Sequence, residues 1–122
     1  MLKQSAHSAA MAISNEKLRD YPFLQEMYGD DYFPNVLVNK GRQILIRLCE
    51  RIEEVKPKDN AALFRLTYAA TEDFNALNEK FQENDSEIET VARDAIAKDF
   101  EFIMKAYGFE ADLEEAIAPR DW

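Results

Sequence analysis

Apolar residues that recur every three to four positions divide most of this chain into helical segments. From Asn35 to Val55, Leu37, Ile44, Leu45, Leu48, Ile52 and Val55 share one face. Asn35 is the expected cap, and Pro57 disfavours helix at Lys56. A second stripe, Leu63, Leu66, Ala70, Phe74, Leu77 and Phe81, predicts a helix capped by Asp59 or Asn60 and running to about residue 82. A third arc holds Ile88, Ala92, Ala95, Ile96, Phe102, Ile103, Ala106 and Tyr107. Ser86 and Glu89 have capping-box spacing at its start, and Gly108 followed by Phe109 suits a Schellman ending at its close. The connection near residues 82–85 is short, which makes the second and third helices antiparallel neighbours.

Weaker signals fill the remainder. Pro22 suits the first turn of a helix ending at Tyr28, with Phe23, Leu24 and Met27 pointing inward. Gly29 to Pro34 combines glycine, two aspartates and proline, and reads as a turn. Asp112 can cap a helix to Ile117, stopped by Pro119, so the short flanking helices span about 22–28 and 111–117. Residues 1–17 carry only a thin stripe of Leu2, Ala6, Ala9, Ala10 and Ile13. They read as an N-terminal arm or helix, loosely docked, with Met11 an alternative start; residues 18–122 form a single helical-bundle domain. The expected fold is all-α: an antiparallel bundle of three long helices, near 35–55, 60–82 and 86–107, plus the short flanking ones.

Two residues break the pattern. Asp99 falls in the middle of the third apolar arc, where a bare carboxylate costs several kcal/mol and must be paired, hydrogen-bonded or neutralised. One reading pairs it with a lysine, arginine or tyrosine that fixes helix register. The other places it in a small crevice with a raised pKa, with Tyr28, Tyr32 and Tyr68 as candidate neighbours. Gly41 lies at the centre of the first face and costs about 1 kcal/mol of helix propensity relative to alanine. It is expected to let another helix approach; a helix beginning only after Gly41 is the alternative. Cys49 reads as a small buried hydrophobe, and Ile46 points away from the main face.

The composition supports one globular, helix-leaning domain: 47% of the 122 residues are hydrophobic and 32% charged, with three Gly and four Pro. The lone Cys49 excludes an intramolecular disulfide and fits a reducing compartment. No apolar run approaches a membrane span or a signal peptide, so the expected location is cytoplasmic. Charge is unevenly spread. Residues 1–58 hold nine Lys/Arg against eight Asp/Glu, whereas residues 59–122 hold six against sixteen, a difference of −10. Such a field disfavours nucleic acid and anionic lipid as partners.

No GxGxxG, Walker, CxxC, HExxH or GxSxG pattern occurs. The acidic run Glu83 to Glu89 lacks the alternating ligands, glycine and distal glutamate of an EF-hand, and with His7 alone a ferritin-like di-iron site is excluded in its usual form. Neither a metal nor a cofactor is expected. Asp30 and Asp31 read as a solvated turn before a site. Glu72 and Glu79 lie opposite the apolar stripe of their helix. Arg120 and Trp122 form either an exposed anchor for a partner or a lid on the bundle's end.

The stretches LQEMYGDDYFP, LVNKGRQILIRLCERIE, NDSEIETVARDAIAKDF and YGFEADLEEAIAPRDW resemble a small bacterial family known only under a domain-of-unknown-function label. The resemblance covers about residues 16–122. It implies a bacterial intracellular protein of one domain and brings no activity, cofactor or catalytic residue.

The leading functional reading is a non-enzymatic acidic module, immunity- or regulator-like, that binds a basic protein through Asp30, Asp31, Glu72, Glu79, Glu83, Arg120 and Trp122. A small enzyme or ligand-binding protein with an interhelical pocket around Asp99 is the alternative. A homodimer formed through an exposed apolar patch near Ile46 or Trp122 is a third.

Overall fold

A computed structural model describes residues 13–122 and is all-α. Six helices follow in order: α1 (Glu16–Arg19), α2 (Gln25–Tyr28), α3 (Asn35–Val55), α4 (Asn60–Glu83), α5 (Thr90–Ala106) and α6 (Leu113–Ala116). The expected alanine stripe before Ile13 lies outside the described residues. Packing reaches back to Ile13, which is buried. No helix among the described residues is long and apolar enough to cross a membrane.

Helices α3 and α4 form the principal hairpin, joined by residues 56–59. Asp59 caps α4 by accepting from the Ala62 amide at 2.9 Å, and Leu63, Leu66, Ala70, Phe74, Leu77 and Phe81 are all buried as their spacing predicts. At the start of α3 the expected cap is displaced by one residue. Pro34 occupies the cap with extended backbone and accepts from the amides of Leu37 and Val38, which makes Asn35 the first helical residue.

The capping box at Ser86 does not form. Helix α5 begins at Thr90, and residues 86–89 are extended with Ile88 buried. Asn78, on α4, accepts from the Ile88 N–H at 2.8 Å and holds this segment against α4 ahead of the helix. The other end of α5 follows the sequence closely: Phe109 N–H bonds Met104 C=O and Gly108 N–H bonds Lys105 C=O, the two bonds of a Schellman motif, with Gly108 at φ +86°.

Helix α5 meets α4 through large side chains, with the Phe74 and Phe100 rings 6.0 Å apart, and its backbone lies close to α1, α2, α3 and α6. The N-terminal helices thus cover α5 together with the α3–α4 hairpin. The chain's other end closes the bundle. Asn75 accepts from the Asp121 amide and donates to the Pro119 carbonyl, which holds the tail on α4. Ile46 and Trp122 are buried at 2% and 9% exposure, so neither supplies the exposed apolar side chain expected of it.

Candidate functional site

The interior polar centre is built on Asp99. One turn of α5 carries this carboxylate into the core at 1% exposure, where it faces the segment before α2. Its Oδ1 accepts from the Tyr21 hydroxyl at 2.8 Å and its Oδ2 accepts from the Leu24 amide at 2.7 Å. Tyr21 is in turn fixed by stacking on Phe102, with ring centroids 4.3 Å apart, and by an edge contact with Phe23. Burial raises the Asp99 pKa, while the Leu24 amide and Tyr21 hydroxyl pull the other way without cancelling it. Burial and the adjacent carboxylate together push the Tyr21 hydroxyl up.

The same contact explains why the helix expected from Pro22 begins only at Gln25. Leu24 has φ +59°, the left-handed conformation that costs a non-glycine residue roughly 1 kcal/mol or more. With its N–H committed to Asp99, Leu24 turns its side chain toward α3. There it meets Gly41: a Cβ at that position would lie 2.9 Å from Leu24 Cδ1, 3.2 Å from Phe74 Cε1 and 3.4 Å from Leu77 Cδ2. Gly41 sits within α3, so the alternative of a helix starting after it does not hold. The two sequence anomalies belong to one knot.

The tyrosines grouped with Asp99 in the sequence do not gather around it. Tyr28 donates to Asn39 on α3, Tyr32 is exposed on the turn before α3, and Tyr68 stacks on Phe64 along α4. The residue that does reach Asp99, Tyr21, was missed because it lies outside any periodic segment. Asp99 lines none of the surface clefts described below; it is a staple between α5 and the α1–α2 segment.

A second buried-edge carboxylate, Glu53, also escaped the sequence. It accepts from the Ser14 amide and hydroxyl, the Asn15 amide and the Tyr107 hydroxyl, the last at 2.5 Å. It thereby ties the N-terminal segment to α3 and α5, at the edge of an open cleft of about 480 Å³ shared with Ile52, Lys56 and Phe109. Burial pushes its pKa up, but the donated hydrogen bonds outweigh this and hold it below the ordinary 4.5. A carboxyl with a lowered folded pKa contributes stability that is present above its unfolded pKa and lost as pH falls through the folded one. Glu53→Gln is therefore expected to flatten the loss of melting temperature below pH 4.5 relative to wild type. Parallel slopes in a thermal-melting series would contradict this.

Neighbouring Cys49 is fully buried, and burial raises its thiol to about 12, which makes it a small hydrophobe.

The candidate partner residues are placed as follows. Asp30 is half-buried and accepts from the Tyr32 amide, shaping its turn, while Asp31 is exposed. Glu72, Glu79 and Glu83 are exposed along the outer side of α4. Of these only Glu72 has a bonded neighbour among the described residues, the Asn75 amide group. Trp122 is not an exposed anchor. It packs edge-on against Phe74 at 6.2 Å, with the Arg120 guanidinium 5.7 Å from its ring centroid and also paired with Glu114 at 3.2 Å. That arrangement is the lid.

The fold and these sites define a class: a small all-α protein in which Asp99 and Glu53 act as staples and most other carboxylates of the described residues face solvent. The chain belongs to the family of unknown function DUF5713, which it matches over residues 17–122. No curated protein matches the chain, and no solved structure does.

Proposed function

We propose that this chain is a non-enzymatic protein-binding module whose partner is a basic protein, met by the exposed carboxylates of α4 and of the connection to α5. One observation carries this reading. Glu79 and Glu83 are exposed without a cationic partner among the described residues, whereas Glu26, Glu53 and Glu114 are each engaged in an internal contact. Asp85, Glu87 and Glu89 extend the same exposed stretch. Uncommitted charge of one sign speeds encounter with a partner of the other and is weakened by salt. The buried carboxylates, by contrast, are saturated with internal donors, which supports a binding role over catalysis.

The test is capture by the tagged protein from a lysate of its native host at low salt. A single basic protein retained near stoichiometry and released at high salt is expected, with retention reduced roughly tenfold or more by combined Glu72→Lys, Glu79→Lys and Glu83→Lys. Unchanged retention by that variant, or an empty capture from folded protein, would remove the reading.

A further inference from the structure

On a chain with net charge −9, one groove is lined mainly by cations among its charged residues. Between the second half of α3 and the first half of α4 runs a groove of about 440 Å³. Arg47 and Arg51 border it from α3 and Arg65 from α4, and Ile44, Leu48 and Leu66 line its floor. Asp73 is the single carboxylate in the lining, so the groove carries three guanidinium groups against one acid.

The guanidinium groups are available. Arg47 and Arg51 contact Glu50 and Glu54 only at 3.8 Å, one turn along their own helix and in solvent, a geometry that contributes little. Arg65 has no carboxylate within salt-bridge distance among the described residues. Arg47 and Arg51 are four residues apart and project from one ridge about 6 Å apart along the axis. A guanidinium presents a planar fork that suits a carboxylate in two parallel hydrogen bonds.

We propose that this α3–α4 groove is a docking surface for an acidic amphipathic peptide segment of a partner protein, whose carboxylates meet Arg47, Arg51 and Arg65 while its apolar residues cover the floor. Charge complementarity selects the occupant. The chain's own first fifteen residues contain Lys3 and no acidic side chain, so they do not fit it. Phosphate-bearing polymers and anionic membrane surfaces match the arginines alone and leave the apolar floor of Ile44, Leu48 and Leu66 uncovered. Its arginines lie apart from Glu79 and Glu83 along the chain and are opposite to them in sign, so either reading can fail without the other.

The probe is a random peptide library displayed on phage, selected on the folded protein at near-physiological salt, followed by fluorescence titration of the enriched peptides. The expected consensus has Asp or Glu one helical turn apart beside apolar residues. Combined Arg47→Glu, Arg51→Glu and Arg65→Glu should weaken the labelled peptide roughly tenfold or more, while Glu72→Lys, Glu79→Lys and Glu83→Lys should leave it unweakened. Far-ultraviolet circular dichroism checks that both variants keep their helices. Enrichment of basic or uncharged peptides, equal binding by the arginine variant, or no enrichment would overturn the proposal. So would a dimer in light scattering that the arginine variant abolishes, since the groove would then be filled by a second copy.

Discussion

Replacing Asp99 with alanine is expected to destabilise the protein by about 3–5 kcal/mol, because two buried donors lose their acceptor at once. The Tyr21 hydroxyl and the Leu24 amide both end on this carboxylate. Neither has a second acceptor among the described residues. Against a total stability of about 5–15 kcal/mol for a domain of this kind, such a loss lowers the melting temperature markedly. The acid dependence should run opposite to that of Glu53. Burial holds the Asp99 pKa above its ordinary 3.8, so the folded state binds this proton more tightly than the unfolded one. The contribution of its titration is greatest below that pH and is lost as pH rises through the folded pKa. The deficit of Asp99→Ala relative to wild type should therefore narrow with rising pH, which denaturant unfolding at a series of pH values will show. A deficit under about 1 kcal/mol would mean that the two donors find other acceptors.

Gly41→Val should cost about 3 kcal/mol, through overpacking of a helix crossing that has no room for a side chain. A single added Cβ already lies 2.9 Å from Leu24 Cδ1 and 3.2 Å from Phe74 Cε1. The branched residue adds two methyl groups to that space. Relief by movement of Leu24 is restricted, since its backbone is held left-handed by Asp99. Gly41→Ala is a finer probe: about 1 kcal/mol of helix propensity is gained and set against the close contacts. Chemical denaturation measures both, and a valine variant as stable as wild type would show that the crossing can open.

These two sites also show what the sequence could and could not tell. Periodicity alone placed α3 and α4 almost to the residue, because each buries a stripe along most of its length, although Val55 at the end of the α3 stripe is exposed. Glycine at 108 located the end of α5 through a local backbone rule. The start of α5 lies later than the local cap signal places it: the segment before it is held by Asn78 of α4, a contact between helices that no local pattern shows. Asp99 and Gly41 were legible as anomalies, and the need of each for a neighbour followed from burial and volume. Their common neighbour was not legible. Leu24 joins them through a left-handed backbone that no helix propensity would assign it, and Tyr21 lies in a segment without period. Glu53 looked like any exposed glutamate on a helix, since the four donors it accepts from lie far away in the chain.

The division of labour follows from these placements. Carboxylates inside the fold are bonded and hold segments together. Outside it, Glu79 and Glu83 have no cationic partner among the described residues, and the proposed binding rests on them and their exposed neighbours. The measurement that tests this most directly is partner capture by Asp99→Asn beside wild type, below the melting temperature of both and with equal amounts of folded protein. The account predicts lowered stability and undiminished capture for the asparagine variant. Loss of capture by a folded Asp99→Asn protein would contradict it, and would make the interior carboxylate part of the site.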